Sequence, residues 1–285
     1  MIHFGPAGNS DSFYKKGYKH TYEAFAWIAD MGLDAYEYSF GRGVRLSHTT
    51  AELIGKKAAE NGVILSVHAP YYINLATEEP DKAKANLRYL AESAAAAKWM
   101  GARRVVFHPG SLGKAERDIA FAQVKKALLT AVDHLKEQGL WETEICPETM
   151  GRIKQIGDLD EVISLCSLDE RIVPAIDFGH LHARGRGAIR TEEDYAYILD
   201  KLADTLGEYR AKRFHAHFSR IEFTAAGERM HRTFADTEFG PDFTPLAKLI
   251  VKRGLEPVLI CESKGTMAED AAEMRRVYLE ELNKL

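Results

Sequence analysis

Hydrophobic positions along the chain fall into two alternating kinds: short apolar runs, and longer stretches whose apolar residues recur at helical spacing. The first run is Ile2 to Phe4, broken by Gly5 and Pro6, and the pattern predicts a helix over Thr21 to Met31 behind it. The following runs are Ala35 to Phe40, Val63 to Ala69, Arg104 to His108 and Glu142 to Cys146. The intervening helices are predicted over Ser47 to Asn61, Asp81 to Met100, Asp118 to Gln138 and Leu159 to Leu168. The run around Val173 to Ile176, then Arg213 to Phe218 and Pro257 to Cys261, complete the series, with helices over Thr191 to Leu206, Phe243 to Lys252 and Ala268 to Leu285. Ser47, Thr49 and Thr50 are candidate caps, and Thr191 with Asp194 makes a capping box.

Eight apolar runs each followed by a helix predict a parallel sheet. An α/β fold of 285 residues with eight such units fits a closed (β/α)8 TIM barrel, which takes roughly 250 residues as one unit. A single domain over 1–285 is therefore expected. The alternative, an open doubly wound sheet, lacks its usual GxGxxG after the first run. Neither a linker nor a low-complexity segment interrupts the pattern. Ser219 to Pro241 reads as a long loop, rich in charge and aromatics, of the size that usually carries function.

Composition narrows the class. The chain is 46% hydrophobic and 28% charged, with no apolar run near the roughly 20 residues that span a bilayer. Its start lacks the pattern of a signal peptide. Cys146, Cys166 and Cys261 form no CxxC pair, which predicts buried thiols and a cytoplasmic setting. A net charge of −4 counts mildly against a non-specific nucleic-acid binder, although bound cations would change the local sign.

The chemistry sits where the apolar runs stop. The stretch PAIDFGHLHARG, Pro174 to Gly185, ends its run in Asp177, His180 and His182. The plain reading is an Asp capping the next helix. The other runs, however, end in His68, His108, Glu148, His217 (with His215 two residues earlier) and Glu262, and the long loop adds His231. A TIM barrel gathers these ends at its C-terminal face. So many ionisable groups in one mouth are expensive unless cations hold them. Mixed imidazole and carboxylate donors suit zinc, with manganese or iron as alternatives, and their number implies two or three ions with Glu148 as the bridge. Ions about 3.5–4 Å apart are a device for displacement at phosphorus. His182 and His215 are candidates to orient ligands from outside the metal shell. Tyr71 and Tyr72 are candidates for packing or binding, and Arg42 and Arg45 for phosphate contact. His3, His20, His48 and His134 lack such a setting.

In order and spacing, His68 with the following tyrosine and INLA segment, His108-Pro-Gly-Ser111, Pro-Glu148-Thr-Met-Gly, Ile-Asp177-Phe-Gly-His180, His217 and Glu262 resemble the endonuclease IV family of apurinic/apyrimidinic endonucleases. The resemblance implies a TIM barrel with three zinc ions that cuts double-stranded DNA 5′ to an abasic site, acting as a monomer in DNA repair. It assigns His68, His108 and Glu148 to one ion, Glu148, Asp177, His217 and Glu262 to a second, and His180 and His231 to a third. Glu148 is also the candidate catalytic base. Tyr71 matches a tyrosine near the damaged nucleotide, and Arg42 falls near a loop arginine that enters DNA. One departure stands out: the family's third-site Asp-x-His reads Arg229-Met230-His231 here. Glu228 or Asp236 is then expected to substitute, or the site to be weak or empty. The HFSR segment at His217 also lacks the family's acidic residue. The pattern reads as a divergent branch.

Two other readings remain open. Xylose-isomerase-like sugar isomerases and epimerases share the barrel and use one divalent ion held by a Glu, Asp, His, Glu set that Glu148, Asp177, His217 and Glu262 also satisfy. His68, His108 and His231 then lack a common purpose. A barrel that binds metal or nucleic acid without catalysis is the third.

Overall fold

A computed structural model describes residues 1–284, and in it every apolar run becomes a strand. The strands are β1 His3–Pro6, β2 Ala35–Ser39, β3 Ile64–His68, β4 Arg104–Phe107, β5 Glu144–Pro147, β6 Ala175–Asp177, β7 His215–Phe218 and β8 Val258–Cys261. Behind them come α1 Ala24–Asp30, α2 His48–Glu60, α3 Pro80–Met100, α4 Arg117–Glu137, α5 Leu159–Cys166, α6 Glu192–Leu206, α7 Thr244–Arg253 and α8 Met267–Leu282. The expected end of α8 at Leu285 lies outside the described residues.

Strand pairing is parallel throughout the barrel wall. β1, β8, β7 and β6 form one run, and β2, β3, β4 and β5 the other. Parallel bridges from Ile145 to Ile172 and from Glu148 to Ala175 join β5 to β6. On the opposite seam the Asp34 N–H donates to Phe4 O at 3.1 Å, and the Asp34 carboxylate accepts the Phe4 N–H at 2.9 Å. These contacts close the wall, and the fold is a (β/α)8 TIM barrel.

Local chemistry sets the helix ends. Ser47 caps α2 by accepting the Thr50 N–H at 3.2 Å. Thr191 and Asp194 form the expected capping box at α6, with the Asp194 carboxylate accepting the Thr191 N–H at 2.8 Å. The inner face of α3 is built from small residues, Ala94, Ala96 and Ala97, all fully buried, so the helix lies close to the wall. Cys146, Cys166 and Cys261 are buried free thiols. Among the described residues no helix is long and apolar enough to cross a membrane.

The mouth is more ordered than the sequence predicts. Ser219 to Pro241 is not a plain loop: it contains an antiparallel hairpin, Arg220–Thr224 against Gly227–Arg232. Charged residues alternate there with Ile221 and Phe223, and that alternation is a strand signal hidden by the charge. A short helix, Phe178–Arg184, follows β6 directly, capped by Asp177. A two-residue bridge, Gly110–Ser111 with Gln155–Ile156, ties together the segments after β4 and β5.

Candidate metal centre

The predicted residues meet at the C-terminal ends of the strands. His68 closes β3 and Asp177 closes β6, while His108, Glu148 and Glu262 follow closely on β4, β5 and β8. His217 and His215 alternate inward on β7, as a regular strand requires, and both are fully buried. Above them lies a cavity of about 340 Å3 lined by His68, His108, Glu148, His180, His231 and Glu262.

Glu148, which is 1% exposed, stands at the centre. Its Oε2 lies 3.1 Å from both His68 Nε2 and His108 Nε2. Its Oε1 lies 3.0 Å from His217 Nδ1 and 3.3 Å from His180 Nδ1. The two oxygens therefore serve two groups of donors. His68, His108 and Glu148 form one cluster, and Glu148, Asp177, His217 and Glu262 form an adjoining one. Asp177 divides its oxygens as well. Oδ1 accepts the His180 N–H at 2.7 Å, the helix cap, while Oδ2 is buried 3.2 Å from His180 Nδ1 without an aligned hydrogen bond. The capping and ligand readings of Asp177 are thus compatible.

His180, Glu228 and His231 make a third cluster. Glu228, and not Asp236, is the carboxylate that lies beside His180 and His231. Asp236 instead accepts the Thr233 N–H and hydroxyl, both at 2.9 Å. A β-bulge explains the substitution. The pairs Glu222 with Met230 and Phe223 with Glu228 leave Arg229 as the extra residue. In a regular strand, Glu228 and His231 would face opposite sides, and the inserted residue returns them to one side. Arg229 turns outward to pair with Glu222. Gly227 and Gly151 let the hairpin approach closely, since a Cβ on Gly227 would fall 2.2 Å from Gly151 O and one on Gly151 would fall 2.6 Å from Glu228 Cβ.

The donor set fits divalent cations. Metal-binding imidazoles use one nitrogen for the ion and the other for a fixed acceptor. The second nitrogen is accounted for by Ala69 O for His68 (2.9 Å), by Thr149 O for His180 (2.9 Å) and by Ser219 Oγ for His231 (2.8 Å). Asp177 Oδ2 points the same way, because a buried carboxylate oxygen without a hydrogen bond is costly, even with His180 Nδ1 at 3.2 Å.

Charge balance in the metal-free protein has a clear sense. Burial opposes ionisation of Glu148, but the His217 charge and hydrogen bonds from His108, His180 and His217 hold it well below the usual carboxylate range. Burial lowers the His68 pKa, yet the bond to Glu148 and the charges of Glu148 and Glu37 prevail and raise it to about 9. His180 and His217 rise in the same way, against burial, through Asp177 and Glu148 for one and Glu262, Glu37 and Glu148 for the other. Glu262 is raised by burial, with His217 and His231 opposing. Protons stand in these contacts where cations would otherwise act.

The remaining candidates are placed as follows. Tyr71 lines the cavity and is 56% exposed. Arg42 is exposed and does not line it, although its neighbour Gly41 does. His182 is not brought to the clusters. It lies two residues beyond His180 on a helix, hence on another face, bonds to Ile189 O at 2.9 Å and packs edge-on against Phe223. His215 sits beneath His217 and bonds to Glu37. Glu37, Arg152 and Gln155 escaped the sequence reading. Glu37 lies in mid-strand, where the only signal is a charge in an apolar run, whereas Arg152 and Gln155 line the cavity from the segment after β5.

Residues 25–281 match a family model described as xylose isomerase-like TIM barrel. The chain belongs to the xylose isomerase-like TIM barrel family. An uncharacterised protein of Methanocaldococcus jannaschii is 32% identical over 98% of both chains. A probable endonuclease 4 of Streptomyces avermitilis is 28% identical over 74% of this chain and 68% of its own. Among solved structures, endonuclease IV from Thermus thermophilus superposes with a TM-score of 0.68 at 21% identity, covering 100% of this chain and 98% of its own. A D-tagatose 3-epimerase-like protein reaches 0.74 at 17% identity over 99% of both chains. The family placement bears out the endonuclease IV resemblance. The xylose isomerase-like family is enzymatic, and at these identities both superpositions speak to the barrel fold.

Proposed function

We propose that this protein is a metal-dependent phosphodiesterase that cuts double-stranded DNA 5′ to abasic sites, as a monomer with two or three bound zinc ions, manganese being the alternative. The observation that carries this reading is the presence of three donor clusters in one mouth, two of them sharing Glu148. A single-ion isomerase has use for Glu148, Asp177, His217 and Glu262 alone. His68, His108, His180, Glu228 and His231 gain a purpose when further ions are bound.

Bound divalent cations supply a polarised phosphate and a water of lowered pKa. The chain's own residues supply the rest. Glu148, ionised and central to the clusters, would take the proton of an attacking water. Arg152 and Gln155 on the rim offer donors to phosphate oxygens. Tyr71 offers an exposed ring to a displaced sugar or base.

The test is nicking of a duplex oligonucleotide that carries one abasic analogue, by protein of measured metal content, before and after chelation. A 5′ cut that vanishes with the metal and returns with zinc is expected. No cut with zinc, manganese or magnesium, and one ion per chain, would shift the reading to a sugar isomerase or epimerase. That alternative draws on the Glu148, Asp177, His217 and Glu262 cluster alone. Glu148 and Glu262 would then exchange the proton beside a ketose carbonyl.

A further inference from the structure

Beneath the mouth, the barrel interior holds another carboxylate. Glu37, in the middle of β2, is 1% exposed and reaches across to β7. Its Oε2 lies 3.0 Å from His215 Nε2 and accepts the Ser66 hydroxyl at 2.9 Å. Ser66 stands opposite Glu37 in the β2–β3 register. Its Oε1 lies 3.0 Å from His217 Nε2. These last two atoms are fully buried; although 3.0 Å apart they are not aligned as a hydrogen bond, and neither has any other partner, so each is the nearest group able to satisfy the other. TIM-barrel interiors are usually filled by branched apolar side chains. An ionised group there is expensive unless its neighbours use it.

His217 thus divides its ring. Nδ1 faces Glu148 Oε1 at 3.0 Å and Glu262 Oε2 at 3.5 Å, while Nε2 faces Glu37. The outer nitrogens of His68 and His231 instead meet a backbone carbonyl and a hydroxyl, and that of His180 meets the Thr149 carbonyl at 2.9 Å with the Asp177 and Glu148 carboxylates at 3.2 and 3.3 Å. A carboxylate acceptor makes an imidazole a stronger donor to a cation than a neutral acceptor does.

We propose that Glu37 is a positioning residue of the metal centre: its carboxylate accepts the Nε2 proton of His217 and so directs the Nδ1 lone pair into the site shared with Glu148, Asp177 and Glu262. His215 and Ser66 hold the second oxygen and fix the carboxylate's rotation. The inference rests on the metal-centre reading and is independent of the substrate.

The test compares wild type with Glu37→Gln, both loaded with cobalt(II), by metal retained against graded chelator and by the visible absorption of the bound cobalt. The expected result is a variant with near-wild-type thermal unfolding in which one ion is held 10–100-fold less tightly, with a changed spectrum for that ion and the others unaltered. Wild-type retention in Glu37→Gln would overturn the proposal. So would an equal weakening of every ion, which marks a general structural role. Loss in both Glu37→Gln and His215→Ala of an ion additional to those of the mouth would make Glu37 a ligand and overturn it too. Should Glu37→Gln fail to fold, Ser66→Ala frees the carboxylate's rotation and is expected to weaken the same ion by a smaller factor; no change there overturns the proposal. Wild-type protein that holds no ion at the His217 site would overturn the metal-centre reading itself, a result distinct from any of these.

Discussion

Glu228→Gln should remove the third ion and leave the others bound. The carboxamide is nearly isosteric, so the bulge and the close approach at Gly151 are undisturbed. What disappears is the one negative charge in a cluster whose other members, His180 and His231, are neutral when they bind a cation. The Glu228 oxygens lie 3.5 Å from His180 Nε2 and 3.9 Å from His231 Nε2, spacings that one ion between them would close. Removing only an outer partner of a ligand costs 10–100-fold in metal affinity, so removing the charged ligand itself should reach at least the upper figure, about 100-fold or about 2.7 kcal/mol. Solvent limits the loss, because the Glu228 and His231 side chains are 15% and 25% exposed and water can occupy the vacated position. The assay is elemental analysis of zinc per chain after dialysis against chelators of increasing strength. At a strength where wild type keeps its full complement, the variant should lack one ion. Arg229→Ala is the matched control, expected to be silent, because Arg229 faces outward to Glu222. Wild-type retention in Glu228→Gln, or loss of an ion in Arg229→Ala, would refute the assignment of the third carboxylate.

Three further outcomes are expected. Glu148→Gln should keep its fold by circular dichroism while nicking falls by 10²–10⁴-fold, the range of a lost general base; near-normal turnover would remove Glu148 from the centre. Gly151→Ala sets a Cβ 2.6 Å from Glu228 Cβ and 3.0 Å from His180 Cδ2, so it should cost about 1–3 kcal/mol by overpacking and loosen the third ion first; unchanged unfolding and retention would mean that the hairpin yields freely. In the metal-free protein the His68 pKa is raised from 6.5 to about 9. The stabilisation from its bond to Glu148 is then full below pH 6.5 and is lost as pH rises through 9. Metal uptake at neutral pH must expel that proton, so apparent affinity should climb with pH up to about 9. Calorimetry in buffers of different ionisation enthalpy reads the released protons, and a buffer-independent heat would contradict the shift.

The barrel was legible because its signals are periodic and repeated. Runs such as Val105–Phe107 and helices such as Pro80–Met100 carry their period in consecutive residues. The strand-end donors were legible because a polar residue that stops an apolar run is conspicuous. Three features were not, for separate reasons. Glu37 interrupts β2 from within, and nothing local tells that its partners lie on β7, far along the chain. Glu228 is displaced by a bulge, and a bulge alters parity without altering composition, so a fixed spacing pointed to Arg229. The hairpin from Arg220 to Arg232 alternates apolar with charged residues, and the charges paired across it, Glu222 with Arg229 and Arg232, made it resemble solvated loop.

Glu148 turns one oxygen to the His68 and His108 cluster and the other to the His217 and Asp177 cluster, so cations bound at both would not titrate as independent compartments. A cation drawn to Oε2 withdraws electron density from Oε1 and also fixes the rotation of the carboxylate that a second cation needs. The first effect is antagonistic and the second cooperative. By thermodynamic reciprocity, whichever prevails acts equally in both directions. Occupancy is therefore a joint property of the pair. Scarcity of metal then partitions the population between empty and filled pairs if ordering dominates, or accumulates half-filled molecules if repulsion does.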